Sequence, residues 1–498
     1  MVEYKWVVLG NTSIGSLMAS IDGSIVIISL PTIARDLPHT SVLDLLWVVL
    51  GYQLVSASLL VNFGRFSDMF GRIKFYQYGF VIFTVGSALC SLSQNGSELV
   101  VFRIVQGVGA TLLTANSGAI ITDAFPTNER GKALGISGMP SLVGSIFGLT
   151  LGGVLTETLG WQSIFWVNIP IGIVATLWAR FRLRELAHIQ GGKKIDYLGN
   201  VTLAGGLIAI LGSITLYSLG NMAYPLFVAL FLGGIASIFL FMVVESKVED
   251  PMFDLSLFRI RLFAGANLGA IFNHTARGAV TLVLSLYLQG PTMKLSPGVA
   301  GAYLIPLTLT TAVWGPLSGV LVDRYGSRVM ATSGLLLSSL GFYILSSLPA
   351  TYSFVQLLLP LSIIGTGLGL YVTPNRTSVM NAVPPEVRGV ASGINTTIFN
   401  VGMTLSQGIA FWIMSLYIPV SQIQSLFTSA GQAGTIAVPE FVTAVHTVYL
   451  FATILILFAT IPSALRGANV TYDMRQKEEE RNRAAGGDKT PGEEPAAG

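Results

Sequence analysis

Fourteen apolar stretches, each long enough to cross a bilayer as a helix, run along this chain, and Lys and Arg gather in every second gap between them. A hydrocarbon core of roughly 30 Å takes about 20 apolar residues of helix to span. Inside lipid every backbone N–H and C=O must be satisfied within the protein, which leaves helices or closed barrels. Only 11% of the residues are charged, where water-soluble domains carry about a quarter. The mean hydropathy is +0.68. The pattern predicts an all-α integral membrane protein with spans near residues 7–30, 45–63, 75–93, 99–121, 133–155, 165–179, 197–216, 224–244, 262–288, 299–322, 329–348, 354–373, 390–416 and 441–464. The first stretch holds Asp22 and lacks a small-residue cleavage site, so it reads as a membrane helix and not a cleaved signal.

Charge orients the bundle. Of the 28 Lys and Arg, 24 fall before the first helix, in the even-numbered gaps, or after the last helix. The other four are Arg35, Arg103, Arg277 and Lys294. By the positive-inside rule both termini are expected in the cytoplasm of a multi-pass plasma-membrane protein. The net charge of +3 then reports topology and offers no case for nucleic acid. A lone cysteine, Cys90, excludes an internal disulfide framework.

The chain repeats itself. Gly64, Asp68, Gly71 and Arg72 in GRFSDMFGR follow the second helix, and Gly319, Asp323, Gly326 and Arg328 in GVLVDRYGSR follow the tenth, 255 residues later. Glu129-Arg130-Gly131 and Glu386-Val387-Arg388-Gly389 precede the fifth and thirteenth helices, with the glycines 258 residues apart. Two motif pairs at nearly one offset predict two similar six-helix bundles with a helical hairpin inserted between them. The expected boundaries are 1–185, 186–250 and 251–466, followed by a solvated, disordered cytoplasmic tail over 467–498. The polar stretch from Ile418 to Glu440 reads as an external loop.

With these motifs in order, the chain resembles the major facilitator superfamily, specifically its fourteen-helix drug:proton antiporter type. The carriers are ASIDGSIVIISLP in the first helix, GRFSDMFGR after the second and RIVQGVGA in the fourth, with WQSIFWVNIPIG and RGVASGINTTIFNVG further on. The resemblance implies alternating access between the bundles. It also matches Asp22 to the family's first-helix acid and implicates Arg103, Gln106 and Gly107 in handling the coupling proton. Asp68 is implied to sit near a helix N-terminus of the other bundle, where amides favour negative charge, with Arg72 bridging to Asp123. Those contacts would latch an outward-facing state, with Asp323 and Arg324 a weaker copy. The family's antiporter motif places a proline after the middle glycine of the fifth helix; here that residue is Leu149.

The residues themselves support several roles. Asp22 lies about nine residues from the outer end of its helix, on the order of 13 Å deep at ~1.5 Å per residue. A carboxylate there is expensive unless paired, hydrated or protonated. It serves either as a proton carrier or as a static salt-bridge partner locking the first bundle. Arg103, one turn into the fourth helix with Gln106 at i+3, is its natural counter-charge, or a snorkelling anchor at the interface. Asn273, His274 and Arg277 form a polar cluster in an apolar span and, with Tyr52 and Gln53, are candidate cavity residues; interhelical hydrogen bonding explains them equally. Arg277 disfavours a cationic substrate unless a carboxylate neutralises it. Gly144, Gly148 and Gly152 recur every four residues, a spacing that permits close helix approach.

Other chemistry is excluded by what the sequence lacks. No G-xxxx-GK[ST] phosphate loop is present, no His/Cys cluster has metal-ligand spacing, and no nucleophile is set beside a base. The expectation is a transporter with no cofactor or metal, driven by protons, whose partners are lipid and a small organic substrate. Export of amphipathic compounds is the first reading. Proton-coupled transport of a metabolite anion is the second, and a non-transporting membrane sensor the third. The sequence leaves the oligomeric state open.

Overall fold

The computed structural model describes residues 3–126, 129–186, 196–218, 220, 222–248, 251, 254–351, 353–384, 387–419, 422 and 438–467. The helices of the first part are α1 (Tyr4–Asp36), α2 (Val42–Phe70), α3 (Arg72–Leu92), α4 (Gly96–Ala124), α5 (Arg130–Leu159), the single turn α6 (Ser163–Trp166) and α7 (Asn168–Arg182). Then come α8 (Tyr197–Ser218) and α9 (Tyr224–Glu245). The last part holds α10 (Arg261–Arg277), α11 (Val280–Gln289), α12 (Pro297–Tyr303), α13 (Ile305–Tyr325), α14 (Ser327–Leu345), α15 (Phe354–Asn381), α16 (Arg388–Ser415) and α17 (Val438–Leu465). The tail over 468–498 and most of the 418–440 stretch lie outside the described residues.

Helix starts follow local chemistry. Ser41 and Asp44 cap α2 reciprocally, and Asn95 accepts the Glu98 amide at the head of α4, each satisfying donors that a helix start leaves open. Gly71 ends α2 and begins α3 at φ 112°, a conformation that glycine adopts without strain. Gly326, its repeat partner, sits at φ 80° between α13 and α14.

Thirteen helical stretches among the described residues are long and apolar enough to cross a membrane. The difference from fourteen lies at 262–288, where the sequence predicts one unbroken helix and the structure has two shorter ones, α10 and α11. The cause is local. The amide of Gly278 still bonds the His274 carbonyl, but the amide of Ala279 donates to the Ser406 Oγ of α16 at 2.9 Å. A Cβ on Gly278 would lie 2.7 Å from the Met403 carbonyl oxygen, so α16 presses directly on the break.

Both ends of the described chain lie on one face of the bundle, called here the terminal face. Tyr4 bonds the backbone of Arg184 there, and Arg261 donates to the Leu465 carbonyl. At the opposite, distal face the two halves meet closely. Gln289 Nε2 donates to the Ile28 carbonyl at 3.0 Å, and the Gly298 amide donates to the Glu157 carboxylate at 3.2 Å. A Cβ on Gly301 would stand 2.6 Å from the carbonyl of Leu149. The bundle is closed distally. The α8–α9 hairpin rests on the seam between α2 and α16, where Leu203, Leu207 and Leu211 join Leu54, Ala57 and Ile394 in one apolar cluster.

α1 and α5 cross at Gly144, Gly148 and Gly152. Cβ atoms added there would meet the Leu17 carbonyl at 2.8 Å, the Ile21 carbonyl at 2.7 Å and Ile25 Cγ1 at 2.6 Å. Gly148→Val is expected to lower stability by about 1–3 kcal/mol through overpacking, read by thermal unfolding in detergent. Gly138→Ala, whose added carbon meets nothing within 4 Å, is the neutral control.

Candidate functional site

Asp22 stands at the centre of a dry polar network inside the first half. Its residue is 0% exposed and Arg103 only 1%. Arg103 Nη1 donates to Asp22 Oδ2 at 2.6 Å and to Gln106 Oε1 at 2.6 Å, while its Nε reaches the Val48 carbonyl of α2 at 3.1 Å. Gln106 Nε2 donates to Asp22 Oδ1 at 2.8 Å and to Ser87 Oγ on α3. Asn168, the first residue of α7, is the third donor to the carboxylate, reaching Asp22 Oδ1 at 3.1 Å. Five helices thus converge on one carboxylate.

Packing explains why the network assembles. A Cβ on Gly86 would fall 2.7 Å from Gln106 Cα, so α3 lets α4 approach closely enough to aim Gln106 and Arg103 at α1. Tyr52 lies with its ring 4.3 Å from the Arg103 guanidinium carbon, with Phe165 at 5.9 Å, giving the cation two aromatic faces. Tyr52 therefore belongs to this network. Asp22 is committed to Arg103, which leaves it unable to neutralise Arg277. Asn168 was not singled out in the sequence, although it stands inside the WQSIFWVNIPIG string; a polar residue in an apolar span opposite a buried acid was the available signal.

At the terminal face Arg72 joins two acids of its own half. Its Nε donates to Asp68 at 2.7 Å, and its Nη1 reaches both oxygens of Asp123 at 2.8 and 2.7 Å. Asp68 bonds Arg72 alone among the described residues. Gly64 faces open space. Gly71 has Glu185 beside it, whose carboxylate accepts the Ile73 amide at 2.9 Å and so caps α3.

The repeat appears in three dimensions with altered chemistry. Ser327 follows Gly326 as Arg72 follows Gly71, and Ser378 Oγ donates to Ser327 Oγ at 2.6 Å over the same 51-residue separation that joins Arg72 to Asp123. Arg466, grouped with the tail cations in the sequence, is 1% exposed. It donates to Asn375 Oδ1, Ser378 Oγ, Ser463 and the Ser327 carbonyl. Arg324 is exposed over the ring of its neighbour Tyr325, and the side chain of Asp323 lies outside the described residues.

The remaining candidates cluster in the second half. Asn273 is 0% exposed, and His274 packs edge-on against Phe399 with ring centres 4.8 Å apart. Arg277 lies 5.9 Å from that same ring. Gln53 accepts from Thr404 Oγ at 3.4 Å, which ties α2 to α16 across the seam. Among the described residues no group of His, Cys, Asp and Glu is arranged to hold a metal.

The sequence matches the family described as Major Facilitator Superfamily over residues 12–407. The chain belongs to the major facilitator superfamily. It is 34% identical over 414 residues to the riboflavin transporter RibZ of Clostridioides difficile, covering 82% of this chain and 88% of that protein. It is 28% identical over 437 residues to multidrug resistance protein 3 of Bacillus subtilis, covering 86% and 83%. In fold it is similar to a bacterial homolog of the human lysosomal transporter Spinster, solved inward-facing and unoccupied, with TM-score 0.65, 16% identity, and coverage of 94% and 97%. The molecule is a multi-pass membrane transporter and not an enzyme.

Proposed function

We propose that this transporter is a proton-driven exporter of amphipathic organic compounds, working by alternating access. The observation that carries the reading is the buried network on Asp22. Three side-chain donors hold its two oxygens, and one of them is a cation in the same dry interior. Proton binding to Asp22 would cancel one charge of that pair and convert an acceptor-only group into a donor. The Asn168 Oδ1, buried and without a partner among the described residues, is an acceptor beside it. Arg103 and Gln106 would then shift, and the difference in proton affinity between the two access states is what couples transport to the gradient. The similarity to multidrug resistance protein 3 supports this substrate class.

In this reading Arg72, held by Asp123, positions Asp68 at the terminal face, and Asp68 serves as the gate latch of the outward-facing state. Both ion pairs are partly exposed, so each contributes under about 1 kcal/mol to stability. Arg72→Ala is expected to leave substrate affinity unchanged and to slow turnover roughly tenfold, about 1.4 kcal/mol on the switching barrier. Binding titrations and transport rates on the same protein check it.

A second reading, proton-coupled transport of one defined metabolite, is favoured by Leu149 at the proline position of the antiporter motif and by the 34% identity to a protein named riboflavin transporter. Inverted vesicles acidified inside separate the two. An exporter of broad range releases lumenal protons on addition of several unrelated amphipathic compounds, whereas a dedicated carrier responds to one chemical class. Absence of proton movement with every compound transported defeats both.

A further inference from the structure

We infer that the second half holds a binding site for the anionic group of an amphipathic organic substrate, centred on Arg277 where α10 gives way to α11. The inference deepens the exporter reading by assigning a charge class to its substrate. Its ground is a contrast within the molecule. Arg103 has a carboxylate, an amide oxygen and a backbone carbonyl, and Arg466 is surrounded by oxygens of Asn375, Ser327, Ser378 and Ser463. Arg277 has a buried Nε without a partner and no ion pair among the described residues. A cation so placed in a membrane protein calls for an anion or a set of acceptors.

Its neighbours are also unspent. Both amide atoms of Asn273, one turn before Arg277, lack partners, as does His274 Nδ1. Gln407 is 1% exposed and likewise has both amide atoms free. Its neighbour Ser406 belongs to the face of α16 that packs against the helix break, where Phe399, Gly402, Met403 and Ser406 all meet α10 or Ala279. Buried polar groups are rarely left unpaired without a reason. The Phe399 ring beside both His274 and Arg277 supplies an apolar surface for the hydrophobic body of the ligand. Thr404, on the far side of the same helix, reaches Gln53 of the first half, so α16 links the cluster to the seam that alternating access must open. Asp22 is taken by Arg103, leaving no first-half acid of this network to neutralise the site.

The test uses the full-length protein in detergent, with fluorescein as a planar amphipathic anion and a rhodamine as a cation on the same ring system, both followed by fluorescence anisotropy. Fluorescein is expected to bind more tightly than the rhodamine. Arg277→Gln should weaken fluorescein by roughly tenfold or more, as truncation of a buried charge partner does. Arg277→Lys, which keeps the charge but not the planar fork, should lose less affinity than Arg277→Gln. Asn273→Asp places a carboxylate four residues before Arg277, the spacing for an internal ion pair. It should abolish the preference for fluorescein, and it decides the matter should Arg277→Gln fail to fold. Equal binding of the two dyes to the wild type, or fluorescein affinity unmoved in both variants, overturns the site. Proton-driven dye movement in proteoliposomes is read separately. Dye binding that follows Arg277 without such movement sinks the exporter reading and leaves the site standing; driven transport indifferent to Arg277 does the reverse.

Discussion

Arg103→Leu is expected to destabilise the protein by about 3–5 kcal/mol, the cost of leaving a buried charge without its partner. The substitution strips Asp22 Oδ2 of its donor and frees Gln106 Oε1 and the Val48 carbonyl, all in a region with 0–1% exposure at Asp22 and Arg103. The Tyr52 ring also loses the cation it stacks on. Arg103→Lys keeps the charge but not the fork that reaches Asp22 and Val48 together, and an intermediate loss follows. Chemical denaturation in mixed micelles reads the series. A loss under about 1 kcal/mol, the size of an exposed pair, would show that the network does not hold the first half together.

Asp22→Asn is expected to abolish uphill export, lowering it by more than about tenfold, while downhill exchange of substrate persists. Asparagine is nearly isosteric and keeps one acceptor oxygen for the Gln106 and Asn168 donors on Oδ1, while its NH2 takes the place of the Oδ2 that accepts from Arg103. It cannot gain or lose the proton, so the two access states no longer differ in proton affinity and the gradient loses its lever. The pair of assays matters more than either alone. Loss of both exchange and uphill transport would point to a static, structural salt bridge.

Much of this architecture is legible in the sequence, because lipid permits so few solutions. Apolar length located the spans, the Lys and Arg distribution suggested their direction, and the glycine–aspartate spacing revealed the repeat. The broken ninth span was hidden, since its cause is tertiary: Ser406 of α16 takes the Ala279 amide, and no local residue pattern at 262–288 announces it. Arg466 was hidden for a similar reason. A cation just past an apolar stretch looks like a topogenic charge, and only packing shows it enclosed by Asn375, Ser378 and Ser463. The Asp22–Arg103–Gln106 constellation could be assembled from depth and helical spacing together with the family likeness, whereas Asn168 and Tyr52 took their places through the crossing of α7 and α2 with α1 and α4. For Asp68 the described residues show the bond to Arg72 and no polar contact with the other half.

The account rests on Asp22 exchanging its proton as substrate binds. Proton release from purified protein in weakly buffered solution, on addition of a saturating transported compound, measures that directly. The account predicts about one proton released per wild-type molecule and none from Asp22→Asn. Equal release from both proteins would contradict it.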